Sequence, residues 1–154
     1  MLPNILVGTQ NGLHILGEQN QILFQGHEVE YLAIQNGAWW AVVDKGEIWR
    51  HVEDIWEHIQ TLEGVRVNCL LPYNGNLFIG TSRALLYELN SKAHHPISAF
   101  EQVSNRDEWF TPWGGPPDVH SISADSSGNL YVNAHVGGIL RSKDGGRSWE
   151  PTID

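Results

Sequence analysis

Apolar residues fall in short runs that alternate with turns rich in glycine and asparagine. Four segments share one pattern of apolar strand, polar or glycine turn, apolar strand: 5–16, 39–49, 77–87 and 130–140. With Gly8, Val43, Gly80 and Asn133 taken as equivalent, the repeats stand 35, 37 and 53 residues apart. An insert at about Ser91–Pro117 accounts for the long third spacing. Each of the last three segments follows another short apolar run, at Val29–Gln35, Val67–Pro72 and Val119–Ala124. The turns between are Asn36-Gly37, Asn74-Gly75-Asn76 and 125–129, which supply the positive φ angles of tight hairpins. Fourth strands are expected at Gln21–Gln25 and Ile97–Val103, while Glu53–Gln60 reads equally as a helical turn.

Four short antiparallel strands in each unit of about 40 residues is the pattern of a propeller blade. The chain is expected to be all-β, a partial β-propeller of about four four-stranded antiparallel blades with about fourteen strands. It reads as one domain, 1–154, in units of about 1–28, 29–66, 67–118 and 119–154. A β-sandwich also has short strands and turns. The recurring register of Gly8 and Gly80 and of the turn glycines Gly12, Gly46 and Gly138 favours the propeller.

The strongest motif is Ser142-Lys143-Asp144-Gly145-Gly146-Arg147-Ser148-Trp149, which fits S-x-D-G-G-x-[ST]-W at every specified position. Asp144 is placed to accept backbone N–H bonds across the turn, and Gly145 and Gly146 reach backbone angles closed to other residues. Ser142 and Ser148 close the loop, and Trp149 buries its ring on leaving it. On this motif the chain resembles the Asp-box (bacterial neuraminidase repeat) β-propellers, which include sialidases, xyloglucan-degrading glucanases, sortilin-type receptors and a photosystem assembly factor. The resemblance covers most of the chain as repeats, with the full motif once, in the last blade. It implies that the turn joins the third and fourth strands of a blade, away from the ligand face, so that Asp144 is structural and not catalytic.

The propeller expectation places the opposite turns and the starts of the innermost strands around one rim. Candidate binding residues there are Gln10, His27, Glu30, Arg66, Arg83, His120 and His135, with Trp109 and Trp113 from the insert. The two tryptophans either stack on a flat ligand such as a sugar ring or pack beneath the long loop. His120, His135 and Asp118 lack recognised metal-ligand spacing, and 125–129 lacks the terminal Glu of a calcium loop, so no metal is expected. No cofactor motif is present.

Composition narrows the partners. The chain has 154 residues, enough for one ordinary core, and a formal charge of −9. An acidic surface repels phosphate backbones and anionic lipid, so neither nucleic acid nor membrane is an expected partner. A single cysteine, Cys69, excludes an internal disulfide. No apolar run approaches the roughly 18 residues of a membrane span. No signal peptide is evident, and a cytoplasmic location is expected.

Three functions remain. The first is a non-enzymatic binding or assembly module for a protein or carbohydrate ligand. The second, implied by the resemblance, is a glycoside hydrolase. A sialidase would need three arginines at the rim, where only Arg66 and Arg83 are placed, and Arg141 and Arg147 sit with the Asp-box turn. A glucanase needs two carboxylates roughly 6.5–9.5 Å apart, and Asp44 and Asp118 are the candidates. The third is a structural half of a larger propeller. The first unit has no innermost strand, and open strand edges invite pairing. Self-association, most simply as a homodimer, is therefore expected.

Overall fold

The computed structural model describes residues 5–90 and 94–152. They divide into two compact units, Met1–Gly64 and Val65–Asp154. The first holds a three-stranded sheet, β1 (Ile5–Thr9), β2 (Gly12–Leu16) and β3 (Gln21–Leu23). It also holds a four-stranded sheet of β4 (Val29–Gln35), β5 (Ala38–Val43), β6 (Glu47–Val52) and β7 (Ile55–Thr61). The second unit holds β8 (Val67–Tyr73), β9 (Asn76–Thr81), β10 (Leu86–Leu89) and β11 (His94–Pro96) in one sheet. Its other sheet is β12 (Val119–Ala124), β13 (Leu130–Ala134), β14 (Gly138–Ser142) and β15 (Glu150–Pro151). In every sheet the strands lie side by side in chain order and pair antiparallel. These are β-propeller blades, and the all-β expectation holds.

Turn chemistry sets the hairpins. Asn36 and Gly37 have φ 50° and 78°, and Asn74 and Gly75 have φ 50° and 81°. Two consecutive left-handed residues give the turn whose twist matches the strands.

Three expectations need correction. The fourth strand of the third blade is His94–Pro96, not Ile97–Val103. Ile97, Phe100 and Val103 follow helical spacing, and a short helix, α1 (Ser98–Glu101), carries Phe100 into the core. The Glu53–Gln60 stretch is a turn at Glu53 and Asp54, both at positive φ, followed by β7. The true repeat equivalent of Gly8, Gly80 and Asn133 is Val42, one residue before Val43. Pairing from the turns outward matches Gly8 to Leu13, Val42 to Ile48, Gly80 to Leu86 and Asn133 to Ile139.

Two glycines show how neighbouring blades meet. A Cβ on Gly8 would lie 2.5 Å from the Val29 carbonyl oxygen. A Cβ on Gly80 would lie 2.4 Å from Cγ1 of Val119 and 2.5 Å from Cys69 Sγ. In each case the first valine of the next blade's innermost strand presses on the second strand of the blade before it, and a bare Cα makes room. In the first unit Leu13, Val29, Ala41 and Val43 form the core, with Leu6, Phe24, Trp49 and Trp56 packed against it. In the second, buried Phe100 meets Trp109 and Trp149 edge-on, at 5.9 and 5.4 Å between ring centroids. Burial pushes the Cys69 thiol up to about 12, so it stays protonated and inert.

Candidate functional site

The innermost strands share a frame that the turns complete. β4, β8 and β12 each begin with valine, and each has a bulge just after it, at Glu30, Asn68 and His120. The residue leading into each strand is also fixed. Asp44, Ser82 and His135 donate their backbone N–H to the carbonyls of Glu28, Arg66 and Asp118, at 2.9, 2.8 and 2.8 Å. Three sets of equivalent positions therefore occupy the same end of each blade. The bulge presents an acid, an amide and an imidazole in turn, and the first turn residue an acid, a hydroxyl and an imidazole.

In the first unit this end is organised by Asp44. Its Oδ1 accepts the Glu28 backbone N–H at 3.0 Å, and its Oδ2 lies 2.6 Å from Nδ1 of His27. The Asp44 hydrogen bond, then its charge, raises the His27 imidazole above its ordinary value of 6.5. The same bond holds the Asp44 carboxyl below the usual range. The pair is exposed and ties the segment leading into β4 to the β5–β6 turn. Gln10, exposed in the β1–β2 turn, is the counterpart of Asp44 in the three-stranded sheet.

In the second unit the insert builds the same end outward. Arg106 donates from Nη2 to the carbonyls of Arg83 and Ala84, at 3.2 and 2.9 Å, and lies 4.6 Å from the centre of the Trp109 ring. Trp109 is buried, at 7% exposure, against Gly137, where a Cβ would meet its ring at 2.6 Å. Its ring packs beneath the β13–β14 turn. Trp113 is 72% exposed, and its ring sits 5.4 Å from that of His135. His120 meets His135 edge-on at 5.3 Å. Phe110 and Val136 are exposed in the same loop and turn. Arg83 is exposed in the left-handed region, φ 63°. Arg66 is exposed, and its N–H bonds Ser82 Oγ at 3.0 Å.

The carboxylates proposed for glycoside hydrolysis fall in different units, Asp44 in the first and Asp118 in the second. Among the described residues no group of three or more His, Cys, Asp or Glu side chains is placed to hold a metal ion. The Asp125 carboxylate accepts Ser127 N, Asn129 N, Asn129 Nδ2 and the Tyr131 hydroxyl, as a hairpin turn. Among the described residues no helix is long and apolar enough to cross a membrane.

The Ser142–Trp149 turn joins β14 to β15, at the other end of β14 from His135. Ser142 Oγ donates to Asp144 Oδ1 at 2.8 Å, and Ser148 Oγ donates to Oδ2 at 2.6 Å. The Ser148 N–H adds a bond at 2.9 Å, and Gly146 N–H donates to Ser142 Oγ at 2.8 Å. The Ser148 hydroxyl and N–H, with the Ser142 hydroxyl, hold the Asp144 carboxyl at about 2. Sequence reasoning missed an open hollow of about 580 Å³ beside this turn, lined by Asn76, Glu88, His95, Asp144 and Arg147 among others. Its Asn76 and Glu88 bond each other. Nothing in the sequence pairs residues so far apart along the chain.

No protein-family model matches the sequence, and no curated protein is similar to it. Solved structures are similar in fold. The extracellular domain of BT4673 from B. thetaiotaomicron superposes with a TM-score of 0.68 at 13% identity, over 98% of this chain and 21% of that one. YCF48 from Cyanidioschyzon merolae gives 0.64 at 12% identity, over 95% of this chain and 52% of that one. YCF48 bound to D1 peptide gives 0.56 at 14% identity, over 96% and 48%. The chain thus spans about half of these structures or less, and the likeness is one of fold, β-propeller with β-propeller.

Proposed function

We propose that this chain is a non-catalytic binding module of the Asp-box propeller kind and that it takes a protein partner at the β13–β14 end of its second unit. The observation that carries the reading is Trp113, 72% exposed and braced against His135. A large aromatic ring held by its neighbours and left in solvent is what an interface uses as an anchor. Exposed Phe110 and Val136 extend the apolar surface around it, and the two histidines supply hydrogen-bonding groups. The insert that carries Trp113 is pinned through Arg106 and Trp109, so the anchor is set out before the partner arrives. A structural neighbour solved with D1 peptide supports the use of this fold for polypeptide. The saturated Asp144 carboxylate supports a structural role for the Asp-box turn.

Photo-crosslinking in the source cell tests this, with a benzophenone amino acid at position 113 or, as control, at 147. A discrete protein adduct from 113 alone is expected. Trp113→Ala should then weaken the recovered complex by about 2 kcal/mol, roughly 30-fold in Kd. Equal adducts from both positions, or none, would overturn the reading. Binding to a glycan array that Trp113→Ala abolishes would move the site to carbohydrate.

A further inference from the structure

We infer that the first unit holds a site for a trimethylammonium group, in a slot walled by Trp39, His51 and Trp56. This stands independently of the rim reading, since it concerns the first unit alone. Register builds the wall. Trp39 lies opposite His51, and His51 opposite Trp56, so β5, β6 and β7 carry three rings in one row. In the other sheet β1 and β2 set Leu6 opposite Ile15. These five residues line an open slot of about 70 Å³, and each is half-buried. The His51 and Trp56 rings stand at an angle, 43° between planes and 5.2 Å between centroids. Phe24 braces Trp56 edge-on at 5.4 Å.

Size and charge select the occupant. The slot, about 70 Å³, is less than half the roughly 150 Å³ of an apolar cavity that takes benzene, so neither an aromatic nor a sugar ring enters. Indole rings attract a cation to their faces. Residues 1–64 carry nine Asp and Glu against Lys45 and Arg50, and so hold seven of the chain's nine net negative charges. Two of those acids flank the slot. Glu53 follows His51 by two residues, Asp54 precedes Trp56 by two, and both are exposed in the turn between β6 and β7. The two cations lie elsewhere. Lys45 is in the β5–β6 turn, at the other end of these strands. Arg50 pairs in register with Trp40, on the opposite face from Trp39 and His51, and its guanidinium sits 5.5 Å from the centre of the Trp40 ring.

Hydrogen bonding selects the methylated cation. A lysine ammonium brings three N–H donors and an arginine guanidinium five. The side chains that line the slot offer at most one acceptor, an imidazole nitrogen of His51. Donors carried in would go unpaired, at a cost. A trimethylammonium group has no donor and spreads its charge over its methyl groups, so ring faces and neighbouring carboxylates are all it requires. The head is the same on a free solute such as choline and on a methylated lysine.

The test titrates the full chain with choline at constant ionic strength and follows the Trp39 and Trp56 indole N–H resonances. Neohexanol, which has a tert-butyl group in place of the trimethylammonium, is the neutral control. Choline should shift both resonances saturably and bind at least tenfold more tightly than neohexanol. Trp39→Leu should weaken choline at least tenfold. Glu53→Gln combined with Asp54→Asn, confined to an exposed turn, should weaken choline at least threefold and leave neohexanol unchanged. Equal binding of neohexanol overturns the inference, because the slot would then be apolar and nothing more. Unshifted indole signals at tens of millimolar choline overturn it, as does a choline affinity that neither variant moves. An acetylated trimethyl-lysine amide that binds more tightly than choline would support a modified polypeptide as the source, and equal binding a free solute.

Discussion

Replacing Trp149 with alanine should be the most damaging single change in the turn that follows β14. Its ring is 9% exposed and stands edge-on to Phe100, 5.4 Å between centroids and 86° between planes. Its Nε1 donates to the Gly146 carbonyl at 3.1 Å. Truncating a buried Trp to Ala costs about 3–5 kcal/mol, which already contains the lost burial and the cavity. The aromatic pair and the hydrogen bond place this case near the middle of that range or above it, about 4 kcal/mol. With a urea m-value of about 2 kcal/mol/M, the midpoint should fall by roughly 2 M. Trp149→Phe keeps a ring against Phe100 and removes the donor alone, so it should cost about 1 kcal/mol. Equilibrium unfolding followed by circular dichroism measures both. An alanine variant within about 0.5 kcal/mol of wild type would refute the packing argument, since that is the scatter of surface substitutions.

Gly8→Ala and Gly80→Ala should each destabilise by about 1–3 kcal/mol through overpacking against Val29 and Val119, read as a lower melting temperature. Wild-type melting in both would mean that the blades do not approach as closely as described. Asp144→Ala should destabilise at neutral pH. Because its folded value is lowered to about 2, the wild-type advantage is full above the ordinary 3.8 and disappears as pH falls through about 2. A difference that persists unchanged in acid would show that the carboxylate is not the source. At the other end, NMR titration should find His27 above 6.5 and Asp44→Asn should return it towards that value. The folded value is raised, so the stabilisation is present below 6.5 and is lost as pH rises through the elevated value. It also requires Asp44 to be ionised, so it fades in acid as Asp44 protonates.

The parts of the fold that could be read in advance are those where local backbone chemistry allows few solutions. Asn36-Gly37 and Asn74-Gly75 demand left-handed angles, and they fold as the tight turns between β4 and β5 and between β8 and β9. Ile97, Phe100 and Val103 stand three apart, the helical spacing, and the expected place of a fourth strand hid it; the short helix sets Phe100 against Trp109 and Trp149. The same limit separates Trp109 from Trp113. Both lie in one polar, glycine- and proline-rich insert, and burial falls to Trp109 because bare Gly137 lets its ring approach. His27 and Asp44 are 17 residues apart, a spacing that marks nothing in a sequence. The recurrent bulge did leave a trace in Val29, Val67 and Val119, each followed by the residue that the ladder leaves over.

That trace explains how a repeat acquires a site without losing its fold. Val29 and Val119 are constrained on both sides, by the next strand and by the glycine of the preceding blade. The bulged residue is the one the ladder leaves over, and the first turn residue is held through its backbone N–H, so neither position requires one particular side chain. Glu30, Asn68 and His120 differ at one such position, and Asp44, Ser82 and His135 at the other. Equivalent positions are thus alike in geometry and different in side chain. Conversely, a turn that is chemically specified throughout, as Ser142–Trp149 is, has its polar groups committed to one another and little left for a ligand. The strongest motif in this chain marks where the blade is fastened, because its polar groups are spent on one another.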